Sequence, residues 1–351
     1  MAKIAINGFG RIGRLFFRQA FASPAKASAK ARLDIVAIND LGDIENLAYL
    51  LKYDSVYRTY DKDVKFTRHP SGVGGELQVD GKKVIVVQEK DPAKLPWKDL
   101  NIDIAVESTG AFESFDKASA HLTAGAKKVV ITAPAKDDER DNAKTVLLGV
   151  NEDQFKFCRI TSNGSCTTNA AHPVVAILNE AIGIKKAMLA TVHGYTATQN
   201  LVDGQTKGKD FRRGRAAAVN ISPSTTGAAI SVTRAVKGLT GKFDGLAYRV
   251  PIATGSLADV TFVTARPTSV EEINGIFKKA AQDPRWKNLI KVTEDQIVSS
   301  DIIGEPYGAI IDLTCTRVVD GDLVKVLSWY DNEWGYVVTL VQHVLKAAES
   351  L

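Results

Sequence analysis

The sequence predicts an α/β chain of two domains: an open, mostly parallel sheet wound by helices, then an α+β domain whose sheet is largely antiparallel. Three observations predict it. Short β-branched runs alternate with helical patterns through the first half, which is the order of βαβ units. In the second half the strand-like runs lengthen, their connections grow and the alternation slackens. A glycine-rich turn also separates the first strand-like run from the first helical one. At 351 residues, 45% of them hydrophobic, the chain is long enough to build two cores.

In order, Lys3 to Asn7 reads as a strand, Arg11 to Ala22 as a helix, Asp34 to Ile38 as a strand and Ile44 to Tyr53 as a helix. Between the first helix and second strand, Ser23 to Lys30 reads as a solvated loop or a helix extension. Strand-like runs follow at Lys83–Val87, Ile104–Glu107, Lys128–Ile131 and Val146–Gly149. In the second half, residues 185–193, 245–250, 257–265 and 309–318 read as strands. Val270 to Ala281 and Trp334 to Ala348 have helical spacing. The domains are placed at 1–165, completed by a C-terminal helix over 333–351, and at 166–332.

Composition narrows the function classes. Lys plus Arg is 45 and Asp plus Glu is 40, so the net charge of +5 is mild and leaves no nucleic-acid footprint by itself. No apolar run approaches the ~20 residues that span a bilayer. Met1-Ala2-Lys3-Ile4 enters a strand at once, so no signal peptide is expected. Cys158, Cys166 and Cys315 lack the paired spacing of a zinc site, and no metal is expected; their odd number fits a reducing compartment. The expectation is a cytoplasmic protein.

Asn7-Gly8-Phe9-Gly10-Arg11-Ile12-Gly13 holds Gly-x-Gly-x-x-Gly between a strand and a helix. Glycines there permit a tight turn and close backbone approach, with the helix N-terminus facing a pyrophosphate. The first domain therefore reads as a Rossmann-type dinucleotide-binding domain. Asp40, after the second strand, can accept hydrogen bonds from ribose hydroxyls and would repel a 2′-phosphate, favouring NAD. It follows Gly13 by 27 residues, more than the usual ~20, the excess lying in the Ser23–Lys30 stretch. The competing reading of Asp40 is an N-cap for the helix that begins near Asp43.

Ser162-Asn163-Gly164-Ser165-Cys166-Thr167-Thr168-Asn169 sets a cysteine among small polar residues just before an apolar helical pattern. A thiol at a helix N-terminus has a lowered pKa and is a candidate nucleophile. Cys158 and Cys315 instead read as small buried hydrophobes. Of the five histidines, His69 and His121 fall in loop-like or surface-helix contexts, His172 precedes Pro173, and His343 lies in the last helix. His193 closes a strand and opens a polar loop, where a fold presents a catalytic group.

Ser165-Cys166-Thr167-Thr168-Asn169 with His193 downstream resembles the phosphorylating glyceraldehyde-3-phosphate dehydrogenases. The likeness runs the whole length, through Asn7–Arg14, Ser108-Thr109-Gly110, Thr226-Gly227-Ala228-Ala229, Arg249-Val250-Pro251 and Trp329–Tyr336. It implies that Cys166 attacks the aldehyde and that His193 raises its thiolate character and takes the hydroxyl proton. A thioester is then left for inorganic phosphate. It places Thr196 and Arg249 at the substrate phosphate and Ser165, Thr167, Thr226 and Gly227 at the inorganic phosphate, with Arg213 near both. Arg212 and Arg215 read as a solvated loop or a subunit contact. For NAD it implies Arg11 and Ile12 at the pyrophosphate, Asp40 at the ribose, Lys90 and Thr132 nearby, and Asn332 at the nicotinamide carboxamide. Tyr336 either packs beside the ring or is a core aromatic. A homotetramer acting on glyceraldehyde 3-phosphate is implied, with no membrane and no nucleic acid required.

The chain departs from the family at several places. Ala170 stands where a second cysteine is frequent, so no disulfide can form there. Gly204-Gln205 replaces a Gly-Pro or Leu-Pro common in NAD-preferring members, which leaves preference over NADP open. Ile230 stands where a lysine is usual and Ile252-Ala253-Thr254-Gly255 is atypical, both read as bearing on subunit packing. Erythrose-4-phosphate dehydrogenase, which releases a free acid by hydrolysis, is the alternative activity, and RNA binding the non-enzymatic one. An aspartate-semialdehyde-type dehydrogenase shares the chemistry but not Ser165–Asn169.

Overall fold

The computed structural model describes residues 1–21, 33–206 and 208–351; Ser23–Lys30 lies outside the described residues. The chain forms two compact units. One comprises Met1–Val146, Glu152–Gly164 and Leu340–Leu351, the other Leu147–Asn151 and Ser165–Thr339.

The first unit is built on strands β1 (Ala2–Asn7), β2 (Leu33–Asn39), β3 (Val64–Arg68), β4 (Gly75–Val79), β5 (Lys82–Val87), β6 (Ile104–Glu107), β7 (Lys128–Ile131), β8 (Ala143–Thr145) and β9 (Ile160–Ser162). Among the described residues their order is β3-β4-β5-β2-β1-β6-β7-β9-β8. β1 pairs in parallel with β2 on one side and β6 on the other. Strand order therefore reverses beside β1, and the carboxyl ends at Asn7 and Glu107, which are register partners, open at the point where doubly wound sheets bind ligands. Ile4, Ala5 and Ile6 are fully buried, as a parallel strand covered on both faces requires. The β3–β4–β5 meander is antiparallel, an edge that the sequence pattern did not reveal.

Helix α1 (Arg11–Phe21) follows β1, and α2 (Ile44–Lys52) follows β2. Asp43 caps α2, accepting from the Glu45 and Asn46 amides. Two short helices, α3 (Phe115–Ala118) and α4 (Ala120–Thr123), lead into β7. The strand expected at Val146–Gly149 is not one. Its apolar residues are buried, but Val150 N–H returns to the Leu147 carbonyl and Gly149 takes φ +76°, so the run turns instead of extending. Burial without alternation does not distinguish a strand from a buried turn.

The second unit opens with α5 (Cys166–Ala181), then β10 (Ile184–Gly194), β11 (Ser222–Thr225), α6 (Ala228–Ala235), β12 (Phe243–Val250), β13 (Ser256–Thr264), α7 (Val270–Ala280), β14 (Ile290–Thr293), β15 (Ala309–Val319), β16 (Leu323–Tyr330) and α8 (Trp334–Glu349). Its sheet runs β11-β12-β10-β13-β16-β15-β14. The β10–β13, β13–β16, β15–β16 and β11–β12 pairs are antiparallel, while β10–β12 and β14–β15 are parallel. On β13, Ala258, Val260 and Phe262 are buried and their neighbours half-exposed, the alternation of a sheet with one covered face. That cover is α5, buried from Thr167 through Leu178 and packed on β10, β13, β15 and β16. α8 begins in this unit, and from Leu340 onward it belongs to the first.

Candidate active site

In the first unit the β1–α1 turn is shaped by what a side chain would strike. A Cβ at Gly8, which has φ +93°, would lie 2.6 Å from the Thr109 nitrogen, and one at Gly13 only 2.1 Å from the Gly8 carbonyl oxygen. Both glycines are required by the turn itself. A Cβ at Gly10 would meet nothing within 4 Å. That open space lies at the α1 N-terminus, where the N–H groups of Arg11 and Ile12 have no intrahelical acceptor. The cradle fits a pyrophosphate. The Arg11 guanidinium is engaged by the Asp54 carboxylate.

Asp40 does not cap a helix; Asp43 does. Its carboxylate accepts from Phe9 N–H at 2.7 Å and Gly42 N–H at 2.8 Å, which aligns it at the end of β2. Lys90 is exposed just beyond β5, and Thr132 follows β7 with its amide on the Glu107 carbonyl at 3.0 Å. His121, expected at a surface, is fully buried. The Trp97 indole donates to its Nδ1 at 3.0 Å, so the ring proton sits on Nε2 and is donated to Glu107 at 2.9 Å. Glu107 also accepts from Asn7 and from Thr109, and the network ties β1 to β6 at the switch point.

In the second unit, Cys166 is the first residue of α5. Ser165 caps the helix: its hydroxyl accepts from Thr168 N–H while Thr168 Oγ1 accepts from Ser165 N–H. Such a reciprocal cap contributes about 1 kcal/mol and fixes where the thiol points. His193 reaches the same place from the end of β10, with Sγ and Nε2 3.3 Å apart. Arg249 of β12 is its register neighbour across the parallel pair. His193 Nδ1 lies 2.7 Å from the Gly194 carbonyl and 2.5 Å from Arg249 Nη1. A proton on Nδ1 serves the carbonyl and leaves Nε2 to accept from the thiol. A bare Nδ1 serves the guanidinium and turns Nε2–H toward a thiolate.

Burial pushes the Cys166 thiol up, against the expectation of a lowered pKa, with Arg249 and the Thr167 hydrogen bonds pulling the other way. Burial, helped by Arg249, takes His193 down to about 3. Each group alone therefore rests neutral. Separation of charge within the pair has what neither has singly, an opposite charge 3.3 Å away and a helix N-terminus beneath the sulfur.

The remaining oxyanion ligands expected from the sequence lie in this unit. Thr167 is buried, its hydroxyl 2.9 Å from Tyr330 Oη. Thr226 accepts from Ala228 N–H at 3.2 Å, and Gly227 is the N-cap residue of α6. Thr196 pairs hydroxyls with Thr198 at 2.9 Å on an exposed turn. Arg213 donates to Ser224 at 3.0 Å, and its charge is felt at Arg249. Arg212 and Arg215 are held by Asp210 and Asp203 at the surface.

Comparison with known proteins places these residues in a family. The glyceraldehyde 3-phosphate dehydrogenase NAD binding domain model matches residues 2–115, and the C-terminal domain model of the same enzyme matches residues 165–332. The chain belongs to the glyceraldehyde 3-phosphate dehydrogenase family. It is 49% identical over 350 residues to the glyceraldehyde-3-phosphate dehydrogenase of Thermotoga maritima, covering 99% of this chain and 100% of that one. It is 46% identical to that of Mycobacterium avium over 99% of each chain. Against glyceraldehyde-3-phosphate dehydrogenase 1 of Kluyveromyces lactis, identity is 45% over 98% of this chain and 100% of the other.

Two features of this chain escaped sequence reasoning. Tyr330 is fully buried and bridges the Thr167 and Thr191 hydroxyls, with its ring edge-on to His193 at 6.0 Å between centroids. Its burial holds the phenol protonated. The second is the 252–255 stretch read as bearing on subunit packing: Thr254 and Gly255 donate to Asn332. Nothing in either local sequence announces a contact made across more than seventy residues. Among the described residues, no group of three or more His, Cys, Asp or Glu could hold a metal ion, and no helix is long and apolar enough to cross a membrane.

Proposed function

We propose that this chain oxidises D-glyceraldehyde 3-phosphate to 1,3-bisphosphoglycerate with NAD and inorganic phosphate. The observation that carries the reading is the Cys166–His193 pair, capped at a helix N-terminus with Arg249 against the imidazole. His193 Nε2 takes the thiol proton as Sγ attacks the aldehyde carbon, and the imidazolium returns that proton to the resulting alkoxide, giving a hemithioacetal and a neutral imidazole. The imidazole then takes the hydroxyl proton as the carbon loses hydride, leaving an acyl thioester on Cys166. When bound, NAD supplies the hydride acceptor. An oxygen of inorganic phosphate attacks the thioester carbon, the carbon–sulfur bond breaks, and Cys166 regains its proton. Holding the acyl group on sulfur conserves the energy of oxidation in the acyl phosphate.

Arg249 and Thr196 bind the phosphate of the substrate, with Arg213 adding charge. Ser165, Thr167, Thr226 and Gly227 bind the attacking phosphate at the two helix N-termini of α5 and α6. Arg11 and Ile12 hold the pyrophosphate of NAD, Asp40 its ribose, Lys90 and Thr132 lie alongside, and Asn332 holds the carboxamide. Residues 1–165 with the 333–351 helix form the NAD-binding domain and 166–332 the catalytic domain. The protein works in the cytoplasm as a homotetramer. Supporting association, Met188, Val192 and Leu246 are exposed on one face of β10 and β12.

The test is formation of reduced nicotinamide from glyceraldehyde 3-phosphate with and without inorganic phosphate, repeated with NADP. Sustained turnover that requires phosphate and prefers NAD is expected. Phosphate-independent turnover would move the activity to a hydrolytic relative, and equal rates with NADP would mean that Gln205 outweighs Asp40.

A further inference from the structure

Asn332 is buried, and its amide is oriented by this chain alone. Oδ1 accepts from the Ser256 hydroxyl at 2.8 Å, Gly255 N–H at 3.1 Å and the Thr254 hydroxyl at 3.2 Å. Three donors on one oxygen leave no ambiguity about which amide atom is which. The Thr254 hydroxyl is shared with Asp331 Oδ1 at 3.1 Å, and Asp331 also takes the Glu333, Trp334 and Gly304 amides. The backbone carrying Asn332 is thus pinned on one side and its side chain on the other. Among the described residues no acceptor meets Asn332 Nδ2, while all three hydrogen bonds of the side chain fall on Oδ1. A neutral side chain whose carbonyl is saturated and whose NH2 is free offers a ligand donors only.

We propose that Thr254, Gly255 and Ser256 are positioning residues that lock Asn332 as a hydrogen-bond donor, so that the site selects cofactors bearing a carbonyl acceptor on the pyridine ring. The proposal rests on the placement of Asn332 at the nicotinamide carboxamide. It assigns the 252–255 stretch to cofactor orientation, and Gly255, at φ +90° with a Cβ that would lie 2.4 Å from the Ser299 carbonyl oxygen, keeps its amide turned to Asn332. Loosening the lock lets the amide rotate and present its carbonyl, which repels the ligand carbonyl.

The experiment measures equilibrium binding by calorimetry of NAD, of the 3-acetylpyridine analogue (which keeps the ring carbonyl but lacks the NH2), and of ADP-ribose, which lacks the ring. Ser256→Ala and Thr254→Val are compared with wild type, with Thr254→Ser as the conservative control. Both dinucleotides are expected to weaken by about three- to tenfold in Ser256→Ala and Thr254→Val, the range of one lost hydrogen bond. ADP-ribose should be unchanged, and Thr254→Ser should behave as wild type. An equal loss for ADP-ribose would make these residues structural only, and unchanged NAD binding would remove the lock; either overturns the proposal. Asn332→Ala separates the premise. If it also leaves NAD binding unchanged, the placement of Asn332 fails; if it weakens NAD while Ser256→Ala and Thr254→Val do not, only the positioning role fails.

Discussion

Replacing His193 with Asn tests the thiol–imidazole pair most directly. Sγ and Nε2 stand 3.3 Å apart. Moving the proton between them creates opposite charges that attract by about 5 kcal/mol at an effective dielectric constant of about 20. The α5 N-terminus adds about 1 kcal/mol for the sulfur anion. Against these stand the burial of both groups and the positive charge of Arg249 beside the imidazole. Asn preserves a polar side chain of similar reach but cannot carry the charge. If only a third of the attraction survives the desolvation of both charges, the thiolate fraction at neutral pH falls by about tenfold, a shift of about one pH unit. The assay is the rate of iodoacetamide alkylation against pH, read on the Cys166 peptide by mass spectrometry because Cys315 is also partly exposed. Wild type and variant profiles that superimpose would refute the pairing, whatever the effect on turnover.

Three further outcomes follow from the same structure. Gly10→Ala should melt within about 3 °C of wild type yet bind NAD at least tenfold more weakly, since its Cβ meets no protein atom within 4 Å, whereas Gly13→Ala should destabilise the fold itself; a thermal melt beside an NAD titration decides it, and unimpaired NAD binding in Gly10→Ala would remove the pyrophosphate from that turn. Arg249→Leu should raise KM for glyceraldehyde 3-phosphate by about tenfold or more while leaving KM for inorganic phosphate within about threefold; steady-state kinetics showing the reverse would exchange the two anion sites. His172 and His343 are held neutral by burial at about 4 and about 3, below the ordinary 6.5. Because these folded values lie below the unfolded one, their contribution is complete above pH 6.5 and is lost as the pH falls toward them. Each should remove up to about 1.4 kcal/mol per pH unit below the ordinary histidine value, and a urea midpoint identical at about pH 7 and about pH 5 would contradict this.

How much was legible in the sequence depends on the range of the interaction that decides each feature. Period-two and helical runs, the glycine turn, and the polar stretch before an apolar helix are local, and they yielded the two fold classes, the placing of Cys166 at a helix N-terminus and the Gly-x-Gly-x-x-Gly turn. Gly8, Gly13 and Gly10 look alike in sequence, but only packing shows that the first two serve the turn while the third leaves room. Val146–Gly149 reads as a strand because burial selects the same residues in a strand and in a buried turn. His121 reads as surface because its partners, Trp97 and Glu107, sit on other elements. The opposition between burial and pairing at Cys166 needs the distances to Arg249 and His193, which chain order does not contain. Likewise Asn332 is plain in the sequence as a residue, but the side on which its amide donates was decided by Thr254, Gly255 and Ser256, brought to it by the pairing of β13 with β16. Short-range propensity and pattern are written residue by residue; the direction of a hydrogen bond and the state of a buried proton are set by whichever distant groups folding brings within a few ångströms.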